Sequence, residues 1–142
     1  MTGLTLAKAN TIIEAAFAKA AELKLKPLGV SVLDSGGHLV AFQRQDGASF
    51  MRQQIGAGKA FGALSLGMGS RTVAKNAIER PHFFQGLSGV SGGRVVPVAG
   101  GVLIRATSGE VLGAVGISGD TSDNDEAAAI AGIEAAGFAA EG

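Results

Sequence analysis

LGVSVLDSGGHLVAFQR, residues 28–44, holds two runs rich in β-branched and large apolar side chains on either side of Ser35-Gly36-Gly37. Runs of this composition joined by a Gly-Gly turn make a β-hairpin. Strands over 28–34 and 38–44 commit the chain to an antiparallel sheet.

Reading outward from the hairpin, residues 5–25 predict a helix. Leu6, Ala9, Ile13, Phe17, Ala20 and Leu23 recur at the spacing of one helical face. Thr5 is its candidate N-cap and Pro27 its stop. Downstream, residues 49–68 predict a second helix with Ser49 as cap. Phe50, Ala57, Phe61, Leu64 and Met68 form one face, and Met51, Ile55, Gly62 and Leu66 form another. A helix apolar on two sides is buried on both, so the second face is expected to meet another subunit. A short helix over 71–79 follows, capped by Ser70 and ended by Pro81. Residues 80–93, RPHFFQGLSGVSGG, read as an irregular loop. Strands are expected at 94–98, 100–106 and 110–118, with Pro97 marking an edge or bulge. A last helix is expected from about Ser122 to Phe138. The order α-ββ-αα-βββ-α gives an α/β (α+β) domain over 1–142, with about five antiparallel strands and helices packed on them.

Composition narrows the function. The 142 residues suit one core. Twelve basic and twelve acidic side chains cancel, without a basic stripe, so neither nucleic acid nor an anionic membrane is an expected partner. The absence of cysteine removes disulfides, thiolate catalysis and cysteine-held metals. The start, MTGLTLAKAN, lacks the apolar core of a signal peptide, and no uncharged apolar run is long enough to span a membrane. A cytoplasmic protein is the expectation.

The acidic stretch Asp120-Thr-Ser-Asp-Asn-Asp-Glu126 lacks the glycine of a calcium loop and reads as a helix start, capped by Thr121, Ser122 or Asp123. No metal site is expected. Just before it, Gly116-Ile117-Ser118-Gly119 ends a strand. The hydroxyl of Ser118 and the backbone N–H groups there, Gly119 included, could receive a small anion, against the opposition of the aspartates. His82 beside Phe83 and Phe84 offers an imidazole on an aromatic platform. His38, which opens the second hairpin strand, is the other candidate ligand for haem iron. Either histidine also reads as an ordinary surface or loop residue. Arg44 and Asp46 lie just past a strand end. Lys59 lies among apolar residues in mid-helix, where an amine must be paired, functional or snorkelling. Arg44 with Lys59 could hold a substrate carboxylate, with Asp46, His38 or Asp120 as acid–base groups. No nucleotide fingerprint or nucleophile elbow is present.

Taken together, VLDSGGHLVAFQRQDGA, GKAFGAL, GGRVVPVAGGVLIR and GEVLGAVGISGDTSDNDEAAAIAGI resemble, in order and across the whole chain, the GlcG/HbpS-type haem-binding family. That family is similar to the C-terminal domain of PduO-type proteins. The resemblance implies a profilin-like fold and homo-oligomers, often octamers. It implies haem binding or haem degradation; it carries over no ligand position, and the candidate contacts His82, His38, Phe83 and Phe84 come from the residues of this sequence. Some members are extracellular redox sensors, and others are encoded beside glycolate or diol catabolism. The exported sensors' secretion signal and the adenosyl-transferring helical domain are not in this sequence, and the segment before GGRVVP often lacks a histidine in the family. Two further readings remain: a lyase, isomerase or hydratase for a small organic acid, and a purely structural assembly subunit.

Overall fold

The structure, a computed structural model, describes residues 3–142. The hairpin forms as its turn chemistry dictates. Strands β1 (Gly29–Asp34) and β2 (Leu39–Arg44) pair antiparallel, with Gly37 in the left-handed conformation at φ 83°. Asp34 secures the turn by accepting N–H bonds from Gly36 and His38 at 2.9 and 3.0 Å.

Helix α1 (Leu6–Leu23) precedes the hairpin, and Thr5 caps it by accepting the Lys8 N–H at 3.1 Å. Its buried face is Ala9, Ile12, Ile13, Ala16 and Ala20; Leu6 and Leu23, expected inside, are exposed. Lys24 ends the helix in a left-handed turn, three residues before Pro27. After the hairpin come α2 (Arg52–Leu66), α3 (Ser70–Glu79) and α4 (Pro81–Val90). Then follow β3 (Gly101–Arg105), β4 (Val111–Ser118), α5 (Ser122–Ala135) and β5 (Ala139–Glu141). One antiparallel sheet runs in the order β2-β1-β4-β3-β5.

The sheet is covered on both faces. Val30, Val32, Val102, Ile104, Val115 and Ile117 meet α1 and α5, whereas Leu33, Leu103 and Ala114 meet Ala60 and Ala63 of α2. Alternate residues of β1 therefore serve opposite layers, and this central strand is buried almost throughout. Helix α2 lies so close to the sheet that a Cβ on Gly56 would stand 2.8 Å from the Gly116 carbonyl oxygen.

Several expectations are corrected. Residues 80–93 are largely helical. Pro81 both ends α3 and starts α4, because it bars its predecessor Arg80 from helical geometry and, at the first helical position, needs no N–H partner. Residues 94–98 form no strand. The Val96 N–H donates to the Gly58 carbonyl of α2 at 3.1 Å, and Val98 N–H turns back to Val96 O at 2.9 Å around Pro97. The fifth strand is instead β5, beyond a helix that ends at Ala135, not Phe138. The 94–98 segment also covers part of the second face of α2: a Cβ on Gly58 would meet Val96 at 2.5 Å, and one on Gly62 would meet Val95 at 3.0 Å. That part of the face is closed within the chain. Finally, Gly69 rather than Ser70 is the N-cap of α3, and Ser70 Oγ is buried, accepting the Gly101 N–H at 2.6 Å. Met51 rather than Ser49 is likewise the N-cap of α2, and the Ser49 hydroxyl accepts the Met51 N–H at 3.2 Å.

Helix α4 has no buried residue and, of the helices and strands, packs mainly on α3. Gly86 in its middle has open space beside it: a Cβ there would meet nothing within 4 Å, and its φ is not positive. Gly86→Ala is therefore expected to stabilise the protein by about 0.5–1 kcal/mol through lost unfolded-state freedom. Urea denaturation checks this, and a lower midpoint would show that α4 is not helical in solution.

Candidate functional site

Two regions carry chemistry. The first is the corner where β4 runs into α5. Thr121 caps α5 by accepting the Asn124 N–H at 3.2 Å. This cap fixes where the acidic side chains point. Asp123 and Glu126 turn outward to Arg71 of α3, while Asp125, 1% exposed, turns inward. There it meets Lys59 of α2, itself 3% exposed. Lys59 Nζ donates to Asp125 Oδ2 at 3.2 Å and to the Ile117 carbonyl at 2.9 Å. Asp125 Oδ1 accepts the Asp120 N–H at 2.9 Å. Burial pushes the Lys59 ammonium down and the Asp125 carboxyl up from their usual ranges, and their mutual attraction opposes both shifts. The pair ties α2 to the end of β4 and the start of α5.

Asp120 holds the loop. It accepts from the Asn124 side chain at 2.7 Å and from the N–H groups of Lys26 and Thr121 at 2.8 Å. These bonds, the Asn124 one foremost, bring its pKa to about 2. Ser118, 2% exposed, accepts from Arg52 Nη1 at 3.0 Å. Gly119, at φ 155°, lies against the Pro27 carbonyl and Leu28, where a side chain would overlap. Arg44 and Asp46 are exposed and line a shallow polar depression with Leu25, Pro27 and Gln45. The structure therefore separates Arg44 from Lys59: one faces solvent at the end of an edge strand, and the other is buried with its own carboxylate.

The second region is a groove of about 500 Å³ between the hairpin turn, α2 and the 93–96 segment. Leu33, Leu39, Ile55, Phe61 and Val96 make it apolar, with Gln53, Gln54 and Arg94 also lining it. Arg94 is held over the Phe61 ring at 4.3 Å to the centroid, with its Nε donating to the Ser91 carbonyl at 2.7 Å. His38 lies between the groove residues Gly37 and Leu39 in sequence, and its side chain is 82% exposed. Its Nδ1 stands 3.4 Å from Asp34 Oδ1. The His38 backbone N–H is the main cause holding the Asp34 carboxyl below its usual range, so Asp34 is an anion beside this imidazole.

His82, Phe83 and Phe84 lie apart from this groove, on α4. Phe83 and Phe84 meet edge to face at 5.4 Å, and Arg80 stacks over Phe83 at 4.6 Å. Among the described residues no three His, Asp or Glu side chains converge as a metal site, and no helix is long and apolar enough to cross a membrane.

Sequence reading singled out Lys59 but missed its partner Asp125, which the acidic run hides among outward-facing neighbours. It also missed Arg52, which looks like any surface charge at a helix start. The groove left its trace in the two apolar faces of α2, at Met51 and Ile55 on one and Ala57 and Phe61 on the other.

Known proteins share this architecture. An uncharacterised 15.0 kDa protein of Citrobacter freundii from the dhaT–dhaS intergenic region is 34% identical over 122 residues, 86% of this chain and 84% of that one. A crystallised double mutant of HbpS from Streptomyces reticuli is 29% identical and superposes with a TM-score of 0.80, over 94% of this chain and 87% of that one. The crystallised PduOC–haem complex shares the fold at a TM-score of 0.85 over 99% of both chains, with 23% identity. The family model described as haem degrading protein HbpS-like matches residues 4–134, from before α1 into the last turn of α5. With strands β1 to β4, the hairpin and the glycine-packed α2 all inside that span, this chain belongs to the HbpS-like family.

Proposed function

We propose that the protein binds haem, or a related tetrapyrrole, in the groove beside α2. The single observation that carries this is the groove's make-up: apolar walls ending at a cation, with an exposed imidazole beside them in the chain. A porphyrin is a flat apolar plate with carboxylates on one edge, so it fits such a surface. Leu33, Ile55, Phe61 and Val96 would contact the plate, and Arg94 would face a carboxylate. His38 is the first candidate for the iron, with Asp34 beside Nδ1 leaving Nε2 as the free nitrogen. His82, with Phe83 and Phe84, is the second candidate and would require a site on α4. When bound, haem would supply redox and gas-binding chemistry that the side chains lack. Membership of a family described as haem-degrading and a fold relative crystallised with haem support the reading.

A homo-oligomer is part of the proposal, with the octamer as the state the family resemblance implies. Phe50 and Met51 near the groove, and Ile78, Phe83 and Val90 on α3 and α4, are large apolar side chains left exposed.

Hemin titration followed by the Soret band tests the site. Wild type should shift the band. His38→Ala should alter its position and weaken binding at least about tenfold, while His82→Ala should not. Ala57→Trp, which fills the groove, should abolish the shift. Wild-type behaviour in Ala57→Trp would overturn the site, and loss in His82→Ala alone would move it to α4.

A further inference from the structure

The sheet end opposite the hairpin turn carries charges that the haem reading leaves unused. Gly29 at the start of β1 pairs with Arg44 of β2 on one side and Ser118 of β4 on the other. Directly paired residues point to the same face, so Arg44 and Ser118 flank Gly29 on one face. Arg52 of α2 and the edge of the Phe42 ring stand over that gap: a Cβ on Gly29 would lie 2.8 Å from Arg52 Cβ and 3.1 Å from Phe42 Cε1. With cross-strand Cβ spacing of about 4.5–5.5 Å, this places the Arg44 and Arg52 Cβ atoms within about 8 Å of each other. Both side chains are long enough for their guanidinium groups to converge.

Neither arginine has a carboxylate within ion-pair distance among the described residues. Arg52 spends a donor on Ser118 Oγ at 3.0 Å, one of the five a guanidinium carries. Ser118 is 2% exposed, and Arg52 is its only side-chain hydrogen-bond partner among the described residues. The nearby acids are mostly committed. Asp125 is held by Lys59 and the Asp120 N–H, and Asp120 accepts three bonds from its own loop and Lys26. Asp46, two residues beyond Arg44, is the free acid in the vicinity, and it leaves the cluster with an excess of positive charge.

We propose that this corner binds a small oxyanion, a carboxylate or a phosphate, between Arg44 and Arg52 and beside the Ser118 hydroxyl. Two guanidinium forks present paired N–H donors that match an anion with two or more oxygens. The missing side chain at Gly29 makes the room into which Arg52 comes from α2, beside the Phe42 ring. Lys59, expected from sequence to share this work with Arg44, is replaced in it by Arg52. The site is independent of the haem groove, which is lined by Ile55, Gly58 and Phe61 on another side of α2.

The test is a ¹H–¹⁵N NMR titration of haem-free protein with inorganic phosphate and, separately, with acetate, at ionic strength fixed by chloride. The amides of Ser118, Gly119 and Gln45 should move in a saturable way at millimolar anion. Arg52→Gln and Arg44→Gln should each weaken binding about tenfold, as expected for losing a charged hydrogen-bonding partner. Lys75→Gln, which removes a charge on α3, should leave it unchanged. Arg44 is exposed on an edge strand, so its variant folds even if Arg52→Gln disturbs the corner. Saturation by one anion alone would assign the site to that anion. No saturable shift in wild type, or binding by Arg44→Gln equal to wild type, would overturn the proposal.

Discussion

Lys59→Met is expected to destabilise the fold by about 3–5 kcal/mol, the cost of leaving a buried carboxylate without its counter-charge. Native domains are stable by only about 5–15 kcal/mol, so this single change puts folding at risk. The reason lies in the geometry: Asp125 is 1% exposed and keeps only the Asp120 N–H once the ammonium is gone. The loss should depend on pH. Burial already pushes the Asp125 carboxyl up, and removing Lys59 pushes it further. In the variant, the folded state then holds a proton that the unfolded state has released. The contribution of the Asp125 carboxyl to its stability should therefore be most favourable below the unfolded carboxylate range and fall as pH rises towards the raised folded value. The double variant Lys59→Met/Asp125→Asn should recover most of the loss, because a neutral amide can still accept the Asp120 N–H. Urea denaturation at mildly acidic and mildly alkaline pH measures all three proteins. A Lys59→Met variant as stable as wild type at the alkaline end would show that the buried pair does not form.

Gly116→Ala is expected to cost about 3 kcal/mol or more, an effect unusually large for one methyl group. Its added carbon would overlap the carbonyl of Gly56, which belongs to α2. Backbone faces backbone there, so no rotamer change relieves the overlap and the helix must lift from the sheet. Lifting α2 also pulls Lys59 from Asp125 and Arg52 from Ser118, so the variant should lose anion binding along with stability. Thermal unfolding measures the first and the NMR titration the second. Unchanged stability would mean that α2 does not lie against β4 as closely as described.

How far the sequence foretold this structure depends on where each signal resides. The hairpin at 28–44 is legible because its turn needs glycine locally and its strands are runs of β-branched and apolar side chains. The Thr5 cap and the start of α5 were legible for the same reason. The 94–98 run has a strand's side chains in Val95, Val96 and Val98 yet forms none, because its hydrogen bonds go to a helix carbonyl and a tight turn at Pro97. Strand β5 was invisible: Ala139-Ala140-Glu141 has no β preference and becomes a strand only because β3 offers it an unpaired edge. Helix α4 was hidden by its glycines and by reading Pro81 only as an end. At the sites, Lys59 stood out as a charge among apolar residues. Its partner did not, because which of four neighbouring acids points inward depends on the cap that sets the phase of α5. Arg52 and Arg44 lie in different elements, and only the strand register and the bare Gly29 bring them together.

The haem site is tested most directly by a crystal structure of the hemin-loaded protein. The macrocycle should lie in the groove against Phe61 and Val96, with a carboxylate at Arg94 and His38 at the iron. A macrocycle seated on α4 against Phe83 and Phe84, or crystals of hemin-treated protein whose groove holds none, would contradict it.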